Sequence, residues 1–330
     1  MNDRERKPLF IANKELNEFE IRTGKTMLDS KPRMLMVVLT NRCNLECIMC
    51  TRTSKQDERT LPFDSIKQIK DLFPYVEMID WQGGEVFLVD YFKELFSEAS
   101  NYPHINQSIV TNGLFINDSW GKELNHAFRL NLTYSIDAVT KQTYEYIRKG
   151  ARFEILVSSL EKIKEINASR INNPIQLHIN AVVMRSNYKE LVFFPRFCKQ
   201  YGISHLRFDF LRSQTAPLED IILKGENEAT AYLQYAIEEI KKECRKMDIW
   251  FECTFASLLP GVNGMCENLL PVAEGINSVS TPLKCKLPWK KMYIDAAGNG
   301  IVRPDCLCEQ NAGNILEMPL EEIWNSAVMQ

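Results

Sequence analysis

Apolar positions from residue 34 to about residue 247 fall into short β-branched runs that alternate with stretches of helical spacing. That alternation is the pattern of parallel βα units. Strands are predicted at Met34 to Leu39, Val76 to Trp81, Ser108 to Thr111, Leu130 to Ile136, Ile175 to Val183 and His205 to Phe210. Helices are predicted at Phe63 to Phe73, Tyr91 to Ser100, from Trp120, at Tyr188 to Tyr201 and near Glu228 to Met247. Between the fourth and fifth strands, Phe153, Leu156, Leu160 and Ile163 recur at offsets of three and four, so one face of a helix there is predicted to be buried. The pattern changes after residue 247. Trp289 to Val302 reads as a hairpin around Ala-Gly298-Asn-Gly300, residues suited to positive φ. Ahead of the first strand, Glu15 to Thr23 is predicted to form a short amphipathic helix lying across the larger domain.

Composition narrows the class without naming a function. Apolar residues make up 45% and charged residues 25% of the 330, an ordinary globular balance with enough chain for one large domain and a small one. A net charge of −3 and the lack of a long Lys/Arg run argue against nucleic acid or an anionic membrane as the main partner. The apolar run from Met34 to Leu39 is strand-sized and the chain begins with charged residues, so neither a membrane span nor a secretory signal is expected. A cytoplasmic location follows as the expectation.

Cysteine spacing carries the chemistry. Cys43-Asn-Leu-Glu-Cys47-Ile-Met-Cys50 packs three thiols into eight residues, just after the first predicted strand. With ten Cys in the chain, one fixed three-Cys spacing has a chance expectation of only ~0.01. Three thiolates on a four-iron cluster leave one iron open to another donor. A structural zinc site is the rival; it wants four closed ligands, and no His lies within fifty residues of Cys50. Disulfides are disfavoured in a reducing compartment.

The run Leu39-Thr-Asn-Arg-Cys43-Asn-Leu-Glu-Cys47-Ile-Met-Cys50 resembles the cluster loop of the radical S-adenosylmethionine (SAM) superfamily. The resemblance implies a partial (βα)6 TIM-like barrel, an α/β fold whose catalytic loops sit at the C-terminal ends of the strands. It also implies a 4Fe-4S cluster on Cys43, Cys47 and Cys50, with the open iron chelating SAM, and one-electron cleavage to a 5′-deoxyadenosyl radical that abstracts a hydrogen atom from substrate. Met49 stands where many members carry an aromatic residue against adenine, and a thioether fills the same slot. Gly83-Gly84-Glu85 follows the second strand and resembles the family motif that orients the SAM amino group; glycines admit a close backbone and a carboxylate accepts from an ammonium. Ser135 and Asp137 at the end of the fourth strand, and Arg148 beyond them, resemble segments that meet the ribose and carboxylate of SAM, the guanidinium fork suiting a carboxylate. Asn112 and Asn187 match family positions, with turn chemistry as the alternative.

The other seven cysteines divide. Cys198 shares a helical face with Leu191, Phe194 and Tyr201, and Cys244 one with Leu233, Ile237, Ile240 and Met247, so both read as small core residues. Cys253, Cys266, Cys285, Cys306 and Cys308 read as loop-borne thiols around the hairpin. Cys285-Lys-Leu-Pro288-Trp289, Tyr293-Ile-Asp-Ala-Ala-Gly298-Asn, Pro304-Asp-Cys306-Leu-Cys308 and Ile323-Trp324-Asn325 resemble the SPASM/twitch extension of radical SAM enzymes. That resemblance implies one or two auxiliary 4Fe-4S clusters, with Cys266 joining Cys285, Cys306 and Cys308 as ligands and Cys253 in reserve; a zinc knuckle is the alternative. The expected division is an N-terminal segment 1–32, a barrel 33–247 and a Cys-rich hairpin and helix extension 248–330.

The function implied is hydrogen abstraction from a peptide or a sugar-like small molecule, ending in oxidation, crosslinking or epimerisation, with a flavodoxin- or ferredoxin-type electron donor. In an epimerisation, Cys253 or Cys266 would donate the hydrogen. Asp209, at the end of the sixth strand, is the candidate acid/base. His178 and His205 lie on predicted strands and read as hydrogen-bonded core residues. A non-catalytic iron-sulfur or zinc scaffold is the reading from another class, and it predicts no 5′-deoxyadenosine.

Overall fold

A computed structural model describes residues 7–51, 57–211, 216–221, 227–256, 259, 286–302 and 310–329. Its centre is one ten-stranded sheet. In chain order the strands of the barrel part are β1 (Met34–Thr40), β3 (Met78–Gly83), β4 (Asn106–Thr111), β5 (Arg129–Ser135), β7 (Gln176–Val183), β8 (His205–Phe210) and β9 (Trp250–Cys253). Each pairs with the next in parallel, as a βα series requires. The short strands β2 (Glu46–Cys47) and β6 (Arg148–Lys149) form a separate antiparallel pair.

Two features lie beyond the six expected units. β9 continues the parallel sheet past residue 247, where the sequence puts a domain boundary. At the other edge, β10 (Lys291–Ile294) pairs in parallel with β1 and carries β11 (Asn299–Val302) and β12 (Gln310–Asn314) antiparallel beyond it. The predicted hairpin is therefore real and extends the barrel sheet from the strand that feeds the cysteine loop. Its turn uses Gly298 at φ +85, with Asp295 Oδ1 accepting from Ala297 N and Asn299 N.

The strands alternate in burial because their two faces meet different surroundings. On β7, Leu177, Ile179, Ala181 and Val183 are buried in the core, whereas His178, Asn180 and Val182 are only half-buried on the inner face. Helices α3 (Phe92–Ser100), α4 (Asp118–His126), α6 (Phe153–Ser169), α7 (Phe194–Tyr201) and α8 (Asn227–Met247) follow strands of this series. Leu156, Leu160 and Ile163 are fully buried on α6, and Cys198 and Cys244 sit in the core as expected. Two helices are shorter than predicted. The 63–73 stretch is a 3-10 turn at Phe63–Ser65 and a five-residue helix α2 (Ile66–Lys70), and the 188–201 stretch opens with a 3-10 segment at Tyr188–Phe193 before α7. α5 (Lys141–Ile147) leads directly into β6.

The N-terminal helix α1 (Leu9–Thr23) is longer than expected and faces inward with polar residues, not with an apolar side. Asn13, Asn17 and Glu20 are buried. Asn17 Nδ2 donates to Trp289 O at 2.7 Å, Asn13 exchanges bonds with Lys31, and Glu20 accepts from Asp29 N and Ser30. Trp324 of α9 (Leu320–Trp324) donates to Ser30 O, so α1 and the segment after it join the barrel to the C-terminal extension. Among the described residues no helix is long and apolar enough to cross a membrane.

Candidate active site

The cysteine loop is built by β1 running out at Thr40 and by the β2–β6 pair that pins its middle. Cys47 is in register with Arg148, and Ile48 N bonds Ile147 O at 3.0 Å. Cys47 is buried, Cys50 half-buried and Cys43 exposed. Burial pushes the Cys47 thiol up to about 11 and raises Cys43, opposed in both by the Arg148 charge. Arg148 Nη1 lies 3.8 Å from Cys47 Sγ and Nη2 lies 2.7 Å from Asp137 Oδ2.

Gly83 and Gly84 answer to the same loop. Gly84 N donates to Thr40 O at 2.7 Å and Glu85 N to Arg42 O at 2.9 Å. A Cβ on Gly84 would lie 2.2 Å from Arg42 O, and one on Gly83 2.7 Å from Thr40 O. The close approach these glycines allow is thus to the chain's own backbone.

All three thiols line one cavity of about 620 Å³. Met49, Gly83, Gly84, Asn112, Ser135 and Arg148 also line it, as the sequence reading requires of cofactor contacts, and Asp209 lies on the β8 wall. Glu85, Asp137 and Asn187 do not. Glu85 is fully buried behind the wall, where its carboxylate accepts from Thr111 Oγ1 and from Asn112 N at 2.8 Å. Burial raises it to about 7. Asn112 Nδ2 in turn holds Asn44 Oδ1 of the cysteine loop at 2.8 Å. Asp137 accepts from Val182 N, and Asn187 donates to the Asp137 and Val182 carbonyls. These three residues brace the residues that touch the cavity.

Cys253 is a correction. It is the last residue of β9, buried in the core on the same side of the strand as Phe251, and does not line the cavity. A loop-borne thiol was expected there because Pro260, Gly261 and Gly264 follow; strand pairing with β8 through Phe208↔Cys253 overrides that composition. Cys266, Cys285, Cys306 and Cys308 lie outside the described residues. Arg207 was missed. It lines the cavity beside Asp209, with Nε 3.1 Å from Asp209 Oδ2, and also pairs with Glu252; Thr254 Oγ1 donates to Asp209 at 2.7 Å. The alternation in His205-Leu-Arg-Phe-Asp-Phe, which puts residues 207 and 209 on one face, was the available signal.

The donor set suits an iron-sulfur cluster with an open corner. A closed tetrahedral zinc site would need a fourth protein ligand beside the three thiols. The thiols instead face a shared cavity, and Arg148 Nε is buried there without a hydrogen-bond partner among the described residues, a donor left for a ligand. Fold and site together define a partial βα barrel that presents three thiols at the C-terminal ends of its strands.

Comparison with known proteins agrees. The family model described as the radical SAM superfamily matches residues 37–192, and that of an iron-sulfur cluster-binding domain, SPASM, matches 285–330. The chain therefore carries a radical SAM domain over residues 37–192 and a SPASM domain over residues 285–330. Iron-sulfur clusters and SAM are the cofactors that go with these two domains. Among curated relatives, the mycofactocin maturase MftC of Mycolicibacterium smegmatis is 27% identical over 55% of this chain and 45% of its own. A probable GTP 3′,8-cyclase of Methanococcus maripaludis is 24% identical over 79% of this chain and 93% of its own. The chain spans about half the length of the first curated relatives it matches. Streptococcus suis SuiB, solved bound to precursor peptide SuiA, has the same fold at a TM-score of 0.64 and 18% identity, covering 97% of this chain and 70% of that one.

Proposed function

We propose that this protein is a peptide-modifying radical SAM enzyme in which Cys43, Cys47 and Cys50 hold the catalytic 4Fe-4S cluster. The observation that carries the reading is that these three thiols open onto one cavity together with Gly83, Gly84, Asn112, Ser135 and Arg148. When bound by these thiols, the cluster would supply the electron for reductive cleavage of SAM, the chemistry that hydrogen abstraction from substrate requires. The chain's own residues bind and orient. Arg148 presents its guanidinium to the SAM carboxylate, backed by Asp137; Gly83 and Gly84 bring the cysteine loop and the β3 loop together; Asn112 and Ser135 offer polar contacts, and Met49 an apolar one. Arg207 and Asp209 form the wall left for substrate, with Asp209 the acid/base candidate.

Peptide is the favoured substrate class because a maturase and a peptide-bound structure stand among the similar proteins. A small-molecule substrate is the second reading, favoured by the near-complete coverage of the methanococcal GTP cyclase. The remaining roles follow the same scheme. Cys266, Cys285, Cys306 and Cys308 ligate an auxiliary cluster in the extension, residues 248–330; the barrel is 33–247 with β9 appended; and a flavodoxin- or ferredoxin-type protein delivers the electron.

Anaerobic reconstitution, dithionite reduction and addition of SAM test the reading. The wild type is expected to release 5′-deoxyadenosine, measured by liquid chromatography and mass spectrometry, and Cys47→Ala to release none. Wild type without that product would support the non-catalytic scaffold instead.

A further inference from the structure

We propose that α1 is the interface of a homodimer, two copies pairing antiparallel along its outward apolar stripe. Helix α1 holds to its own chain through buried polar residues, Asn13, Asn17 and Glu20, hydrogen-bonded to residues 29–31 and Trp289, and through Phe10 stacked on His104. That arrangement leaves its apolar side outward. Leu9 is 53% exposed, Leu16 39% and Phe19 54%, and Ala12 between them is exposed as well. Positions 9, 12, 16 and 19 repeat at three and four residues, the seam spacing of paired helices. A stripe of this kind on a surface helix is an interaction surface, and nothing among the described residues covers it.

Charge complementarity selects the occupant. Under a two-fold axis that sets Leu16 against Phe19 of the copy, Glu15 on the outer flank lies across from Arg22 of the copy, and symmetry forms that pair twice. Lys7 already pairs with Glu15 in the same chain, so each contact becomes a Lys7–Glu15–Arg22 triad. In a parallel pairing Glu15 would face position 20 of the copy and Arg22 position 27; Glu20 is buried against its own chain and Met27 carries no charge. A second copy in antiparallel order therefore satisfies both the apolar stripe and its charged flank. The six residues ahead of Lys7 supply only Met1 as an apolar side chain. A 15-residue helix is about 22 Å long, so the contact is smaller than a standard interface and the dimer is a weak one, with a dissociation constant on the order of micromolar.

Sedimentation equilibrium on the full chain from about 1 to about 100 μM tests this directly. The weight-average mass is expected to rise from 38.2 kDa toward twice that value. Leu16→Glu and Phe19→Glu should stay at the monomer mass and, at concentrations well below the dissociation constant, melt with the wild type. Glu15→Arg alone and Arg22→Glu alone should each weaken association at least threefold, and the two together should restore it. A wild type that remains monomeric at every concentration overturns the proposal. So does a double reversal no better than either single. A melting temperature lowered in Leu16→Glu at a concentration well below the dissociation constant, where the wild type is itself monomeric, would put part of the same chain over the stripe and would equally exclude the dimer.

Discussion

Gly84 shows what a single residue decides in this protein. Its missing side chain lets the β3 loop lie against Arg42 O, and the Gly84 and Glu85 amides bond the loop that carries Cys43. In Gly84→Ala the added carbon meets backbone, which has no rotamer to yield, so the cysteine loop must shift. The expected result is a loss of stability of about 1–3 kcal/mol in urea unfolding and less iron retained after reconstitution than in wild type. His178 sets a pH dependence. Burial, with His205 beside it, pushes its imidazole down to about 4 from 6.5, so the folded state keeps it neutral while the unfolded state protonates. Its contribution is complete above pH 6.5 and lost as pH falls toward 4. The melting temperature should fall over that window, and His178→Asn should flatten the fall. The gathering of Cys43, Cys47 and Cys50 at one cavity was legible because thiol spacing is a local property. The turn of the Glu85 carboxylate toward Asn112 was not, because its partners lie on β4, in the next βα unit.

Elements were read well where one face is apolar and less well elsewhere. Strands β7 and β8 fall within a residue of expectation because their buried positions alternate in sequence, and β1 because Met34 to Leu39 is one continuous apolar run of strand length. β3 begins two residues late because Val76 N and Tyr75 N are bonded to Leu72 O in the turn that closes the preceding helix. In α1 the helix itself was legible over Glu15 to Thr23 but its buried face was not, since periodicity reading turns apolar residues inward and the buried residues here are Asn13, Asn17 and Glu20. Asn17→Leu makes the point measurable. The substitution adds apolar surface at a buried site, yet it leaves Trp289 O without its donor. Stability to urea should drop by about 1–3 kcal/mol where hydrophobic burial alone would raise it.

On the scale of the whole molecule, one sheet ties the chemistry to the extension. β10 of the C-terminal part pairs with β1 over Met34↔Lys291 to Val37↔Ile294, and β1 ends at the cysteine loop. No local signal announces that pairing, because its partners are some 250 residues apart and the two predicted strands look alike from either side. The fold therefore sets the C-terminal hairpin beside the strand that feeds the three thiols, and β8 supplies the opposite wall with Arg207 and Asp209, Arg207 being paired to Glu252 of β9. The central claim is that a cluster held by Cys43, Cys47 and Cys50 keeps one iron for SAM. Electron paramagnetic resonance of the reduced, anaerobically reconstituted protein tests it most directly. Addition of SAM should change the g-values of the cluster signal in wild type, and a Cys43→Ala variant should show no such change; identical wild-type spectra with and without SAM would contradict the account.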